Sequence, residues 1–294
     1  FAPLLWFSSH WPGETRAHRQ ELKDMGDTNM LTAIVGVNWG DEGKGRMVDL
    51  LSERYDIVVR YQGGNNAGHT VVNDKGRFIL NLMPSGILRD GTVNVLGPGM
   101  VIDLEHLCGE VQRLRDGGIA VTPENLRISD KATICMPYHK LLDELEEDRL
   151  AGKKFGSTRR GIAPVYADKY MKKTLRMGDL LDLEAHGEHL ADIVEWKNLT
   201  VERGYGHAPV DAGEMMAWLR EYGLPWREYI CDTSAYLDAA AESGKNILFE
   251  AQLGALRDID FGIFPYTSSS SSIAGYAPVG AGIPGRHLDA SIGI

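Results

Sequence analysis

The sequence predicts an α/β fold: a mainly parallel central sheet with flanking helices, plus a helical subregion. Three observations carry this. Short β-branched apolar runs, Leu31–Val37 and Ile57–Tyr61, each end in a glycine-bearing turn. Helix-spaced apolar residues follow or separate such runs, the alternation that builds parallel sheets. The chain has 294 residues, 43% of them hydrophobic and 24% charged, which is ample for a large core.

Residues 1–29 precede the first convincing strand, with Met25 and Met30 just before it, and are expected to be a disordered extension. Leu31–Val37 (LTAIVGV) is the first strand, and the turn 38–45 (NWGDEGKG) leads out of it. Val48, Leu51 and Tyr55 then fall at i, i+3 and i+7, so the turn opens a helix. Ile57–Tyr61 (IVVRY) is a second strand, ending in the turn 63–69 (GGNNAGH). Further strands are expected at Phe78–Leu82, Val93–Leu96 and Leu126–Ser129. The helix Leu104–Asp116 carries Leu104, Leu107, Val111 and Leu114 on one face, with Asp103 as N-cap. Leu180–Ser243 is mostly helical in pattern, broken at 204–209 and 223–225, and reads as a helical layer beside the sheet. Asn246–Glu250 (NILFE) returns to strand. The run Ser268–Ser272 reads, by composition alone, as a flexible surface loop or as a functional segment.

The net charge of −10 argues against sequence-blind binding of nucleic acid or an anionic membrane, so an anionic ligand needs positive charge gathered locally. Cys108, Cys135 and Cys231 are odd in number and form no CxxC pair, which suits free thiols in a reducing, cytoplasmic compartment. No apolar run approaches the ~20 residues of a membrane span.

The chemistry concentrates in the two glycine turns. Gly40-Asp-Glu-Gly-Lys-Gly45 lies between a strand and a helix. Glycines let the backbone approach a ligand, the helix start offers open N–H groups, and Lys44 adds charge, a combination suited to phosphate. A generic glycine turn is the alternative. Position 38 is Asn where a Walker A loop needs Gly. Asp41 sharpens the choice, because a carboxylate repels phosphate unless it binds a metal or moves a proton. The second turn brings His69 to the end of the next strand, and such strand ends are where open α/β sheets bind ligands.

NWGDEGKGR and VVRYQGGNNAGHTVV strongly resemble the signatures of adenylosuccinate synthetases. LMPSGIL at 82–88, FGSTRRGIAPVYADKY at 155–170 and FEAQLGALRDIDFGIFPYTSSS at 249–270 agree with that family, in family order. The resemblance spans Leu31–Ile294, so residues 30–294 are expected to form a synthetase domain with a P-loop-NTPase-like fold. It implies a GTP-dependent ligase that joins L-aspartate to IMP through 6-phosphoryl-IMP, giving adenylosuccinate, in AMP biosynthesis. Asp41 then removes the N1 proton of IMP, and His69 donates to the oxygens between the β- and γ-phosphates. Lys44 stabilises the developing charge, and Mg²⁺ is held by the Asp41 carboxylate and the Gly68 carbonyl. Gly40, Glu42, Gly43, Lys44, Gly45, Arg46, Gly68, His69 and Thr70 cradle GTP. Asn66, Thr158 and Ser268 contact IMP, and Lys172 reaches the IMP of a partner in a homodimer.

The sequence also departs from the pattern. FEAQLG stands where FEGAQG is usual, so the catalytic glutamine, Gln252, comes one place early and Leu253 holds its usual place. Arg159 replaces a glycine, and Lys172 an arginine with its bidentate fork. The family's arginine-rich aspartate-binding loop and its guanine-reading stretch do not occur before Ile294, so the chain is expected to be C-terminally truncated. Two alternatives stay open: a nucleotide-binding fragment without ligase activity, and a ligase of the same family acting on another purine monophosphate such as a guanylate.

Overall fold

A computed structural model describes residues 4–6, 30–73, 75–153 and 156–294, and for 4–6 the backbone alone. Eight strands form one sheet, in the spatial order Leu4–Trp6, Ala290–Gly293, Leu31–Gly36, Ile247–Gly254, Ile57–Arg60, Val93–Leu96, Leu126–Ser129 and Ile230–Cys231. Every neighbouring pair runs parallel. The three middle strands are buried almost residue for residue, as expected of parallel strands covered on both faces. The extension expected at residues 1–29 falls, apart from Leu4–Trp6, outside the described residues.

The strands predicted at Val93–Leu96 and Leu126–Ser129 and the helix Leu104–Asp116 form with those bounds. The Asp103 side chain accepts the His106 N–H at 3.2 Å, capping that helix. The strand predicted at Phe78–Leu82 takes a different place. It runs Gly76–Leu80 and pairs antiparallel with His69–Asn73 in a hairpin outside the main sheet. Its pattern explains this: Phe78 and Leu80 are buried while Ile79 is exposed, the alternation of a one-sided strand.

The helical layer is broken near residues 204–209 and 223–225 as the sequence predicts, with helices Gly187–Asn198, Ala212–Tyr222 and Thr233–Glu242. The two-residue strand Ile230–Cys231 interrupts it, too short to leave a period. The largest apolar core joins Leu96, Leu126 and Ile128 of the sheet to Leu107 and Val111, and to Leu180, Ile193 and Leu219 of the layer. Helices Pro137–Leu150 and Ile162–Met171 were not anticipated. Their inward faces carry charge: buried Asp168 accepts from His139 Nε2 at 2.8 Å and pairs with Lys197.

Candidate active site

The sheet order decides the site. Ile247–Gly254 lies between the two strands that lead into the glycine turns, so three carboxyl-terminal strand ends meet. They enclose a cavity of about 200 Å³ lined by Gly40, Asp41, Gly43–Arg46, Arg60, Ala67–Thr70 and Ala251–Leu253. A larger cleft, about 630 Å³, lies at the amino ends of the strands, between Ser52–Asp56, Arg89–Thr92 and Asn246. Ligands of open parallel sheets bind at the carboxyl ends, so the smaller cavity is the candidate site.

The first turn is built from backbone. Gly43, at φ 94°, turns the chain into the helix Lys44–Leu51 without a side-chain cap, which leaves open N–H groups facing the cavity. Gly40 sits at φ 110°, and a Cβ there would lie 2.5 Å from Leu253 Cα, so only glycine lets the turn stack on the neighbouring strand end. Glu42 turns inward. Its Oε1 accepts the Gly40 N–H at 2.8 Å, and its Oε2 lies 3.5 Å from Lys44 Nζ, which donates to the Gly40 carbonyl at 2.9 Å. Burial raises the Glu42 pKa, but the Gly40 N–H and Lys44 outweigh it and hold the carboxyl below its usual range. Burial pushes the Lys44 amine down, against the pull of Glu42. Of the nine residues predicted to hold GTP, only Glu42 does not line the cavity. Asp41 is exposed at the cavity and accepts no hydrogen bond from the described residues.

His69 packs directly on the start of that helix: a Cβ on Gly45 would lie 2.6 Å from His69 Cγ. Its Nε2 is 2.7 Å from Ser85 Oγ and 3.2 Å from Glu250 Oε1. Glu250, fully buried, also accepts the Ser85 N–H at 2.8 Å and lies 3.9 Å from Arg60. Burial holds the His69 pKa below its usual value; Glu250 opposes this, and the Arg60 and Lys44 cations add to it.

Gln252 closes the third side. Its Nε2 donates to the Gly64 and Ala67 carbonyls at 2.7 and 2.9 Å, and its Oε1 accepts the Gly64 N–H at 3.1 Å. Both amide protons thus brace the second turn. Asn66 Oδ1 shares the Gly64 N–H at 3.2 Å. The strand register shifts between Glu250 and Gly254, and Leu253 adopts φ 64°. The strand bulges there, and Gln252 and Leu253 both line the cavity.

A model of the family described as adenylosuccinate synthetase matches residues 33–294. The chain belongs to the adenylosuccinate synthetase family. Adenylosuccinate synthetase 2 of Pseudoalteromonas translucida is 46% identical over 253 residues, covering 85% of this chain and 60% of that protein. The adenylosuccinate synthetase of Halothermothrix orenii is 45% identical over 261 residues, covering 89% of this chain and 60% of that protein. The structure of the fully ligated adenylosuccinate synthetase from Plasmodium falciparum is similar with TM-score 0.81 and 33% identity, covering 90% of this chain and 61% of that one. The chain therefore spans about 60% of the length of the curated relatives it matches.

The remaining synthetase positions lie outside the cavity lining. Thr158 is exposed in a loop pinned by Asp143, which accepts from Ser157 Oγ at 2.6 Å and from the Gly161 N–H at 2.9 Å. Arg159, where the family has glycine, adopts φ 55° and pairs with Asp148 at 2.7 Å. Lys172 is exposed at the end of the helix Ile162–Met171. That helix reaches the second turn through Tyr166, whose hydroxyl accepts the Gly63 N–H at 2.9 Å. Ser268 is half-buried, its Oγ 3.5 Å from Ser270 Oγ. Ser270 donates to Gln62 Oε1 at 2.9 Å, and Gln62 Nε2 donates to the Gln252 carbonyl at 2.6 Å, so the serine run connects to the site.

Of the two readings open to that run by composition, the flexible loop is not the one the structure shows. Buried Asp258 accepts the Ser271 hydroxyl at 3.1 Å and the Ser272 N–H at 2.7 Å, and Ser270 and Ser272 are buried. Sequence reasoning also missed Arg60, Ser85 and Glu250. The available signal was a lone charge at the end of each of two apolar strands, IVVR and NILFE.

Proposed function

We propose that the chain carries the site of a GTP-dependent ligase that joins L-aspartate to IMP. The observation behind this is the meeting of Asp41, Lys44 and His69 in one cavity at the carboxyl ends of parallel strands. Asp41, exposed and unengaged, is free to take the N1 proton of IMP. The resulting 6-oxyanion attacks the γ-phosphorus of GTP and GDP leaves, giving 6-phosphoryl-IMP. The aspartate amine then bonds to C6, phosphate departs with the C–O bond electrons, and the amine loses a proton.

Lys44 faces the phosphates with a cation that Glu42 and Gly40 hold in place. The open N–H groups at the start of the Lys44–Leu51 helix add dipole charge of the same sign. His69 offers a ring edge to the same region, and Gln252 keeps the second turn in shape. Asn66, Thr158 and Ser268 are proposed for IMP, and Lys172 for the IMP of a partner copy in a homodimer.

Among the described residues no three His, Cys, Asp or Glu side chains gather to hold a metal ion. One exposed carboxylate, Asp41, and one carbonyl, Gly68, suit Mg²⁺, which keeps waters and shares substrate phosphates. When bound, Mg²⁺ neutralises phosphate charge during transfer.

The test incubates this chain with IMP, aspartate, GTP and Mg²⁺ and follows adenylosuccinate by chromatography. Product that disappears when any one substrate is omitted supports the ligase. Nucleotide binding without product, from a folded chain, contradicts it and supports the nucleotide-binding reading.

A further inference from the structure

The LMPSGIL segment takes no direct part in that reaction, yet it delivers Ser85, fully buried, to the back of His69. Ser85 Oγ donates its only proton to Glu250 Oε1 at 3.0 Å, and its backbone N–H donates to Oε2 at 2.8 Å. An ionised carboxylate only accepts, and Arg60, itself buried, stands 3.9 Å away as the balancing charge. With its proton committed, Ser85 Oγ can only accept across its 2.7 Å contact with His69 Nε2. Glu250 Oε1, 3.2 Å from the same nitrogen, can also only accept. Both neighbours therefore require a proton on Nε2. Gly45 packs on the Cδ2 and Nε2 edge of the ring, and Nδ1 takes no hydrogen bond from the described residues.

We propose that Glu250 and Ser85 are positioning residues that hold the neutral His69 ring as its Nε2–H tautomer, so that Nδ1, which no described residue engages, is the bare nitrogen. This rests on placing His69 in the site, but not on ligase turnover. The consequence is specific: the resting ring directs its single proton at Ser85 and Glu250, so donation from Nδ1 to a phosphate oxygen requires that Nδ1 first take up a second proton, which the Glu250 carboxylate behind the ring favours.

The test is nuclear magnetic resonance of the full chain labelled with ¹⁵N-histidine, without ligand, at about pH 8, where an imidazole is neutral. Ring ¹⁵N shifts separate a protonated nitrogen from a bare one, and His69→Gln identifies the resonances. The wild type is expected to show Nε2–H. In Glu250→Gln the new amide donates to Ser85 Oγ, which releases the hydroxyl proton toward Nε2, so the ring is expected to switch to Nδ1–H. In Ser85→Ala, Nε2 still faces the Glu250 carboxylate and the Nε2–H form is expected to persist. A wild type in the Nδ1–H form, or Glu250→Gln with an unchanged tautomer, overturns the proposal. Should Glu250→Gln fail to fold around buried Arg60, the other two spectra decide: Nε2–H in both supports it and Nδ1–H in either overturns it. A chain without ligase turnover can still show Nε2–H, and a chain with Nδ1–H can still make product, so the two readings fail separately.

Discussion

Replacing Gly45 by Ala tests how tightly the two turns fit. A Cβ at this position would lie 2.6 Å from His69 Cγ and 2.8 Å from Nε2. Ordinary carbon contacts need about 3.5 Å or more, and Cδ2 lies nearer still than Cγ, so the ring must retreat by more than about 1 Å. The 2.7 Å contact with Ser85 then stretches beyond hydrogen-bond range unless the Ser85 segment follows, and Ser85 is fully buried. Overpacking costs about 1–3 kcal/mol and a lost buried hydrogen bond a further ~1–3 kcal/mol. The helical preference of Ala over Gly returns about 1 kcal/mol. The expected net is a loss of about 3 kcal/mol in unfolding free energy, read by urea titration at unchanged slope. Turnover is expected to fall roughly 10²-fold, the scale of a 1 Å misplacement at a reacting centre. Gly109→Ala is the control: it lies inside the helix Leu104–Asp116, and its Cβ would meet only Arg113 Nη1, at 3.5 Å. It should gain up to about 1 kcal/mol. Gly45→Ala as stable as the wild type would refute the reasoning.

Other expectations follow from single features. Arg159→Gly should stay within about 0.5 kcal/mol of the wild type in urea titration despite losing its ion pair with Asp148, because φ 55° favours glycine and exposed pairs contribute little; a loss above about 2 kcal/mol would contradict this. His139 is buried and its pKa is held below its usual value, first by burial, with Asp168 opposing and Lys197 adding. The unfolded chain therefore takes up a proton first, so the stability this residue supports is complete above about pH 6.5 and is lost as pH falls toward its lower native pKa. His139→Gln should flatten that limb in urea titrations run at several pH values, and an unchanged limb would assign the acid sensitivity elsewhere.

Much of the fold was legible because β-branched runs bounded by glycine turns leave a strong local signal. Val93–Leu96, Leu126–Ser129 and the capped helix Leu104–Asp116 kept their predicted bounds. The turns bearing Asp41, Lys44 and His69 were legible for the same reason. What was hidden is long-range. Nothing local says that Ile247–Gly254 inserts between the first two site strands, and that insertion creates the cavity. Arg60 and Glu250 are adjacent only through strand register. The helices Pro137–Leu150 and Ile162–Met171 escaped notice because buried polar side chains such as His139 and Asp168 break an apolar period, and their partners are distant in sequence. By composition the serine run left a loose loop open because its anchors, Asp258, Gly254 and Gln62, all lie upstream of Ser268 and leave no signal within the run.

The central claim is that Asp41 acts on substrate in the cavity and holds nothing else together. The most direct measurement compares adenylosuccinate formation by the wild-type chain and Asp41→Ala, each also titrated with urea. Asp41 is exposed and accepts no hydrogen bond from the described residues, so the variant should match the wild type in stability within about 0.5 kcal/mol. Its rate of product formation should fall by roughly 10²–10⁴-fold, the usual contribution of a positioned base. An equally stable variant that still forms adenylosuccinate at near the wild-type rate would contradict the account.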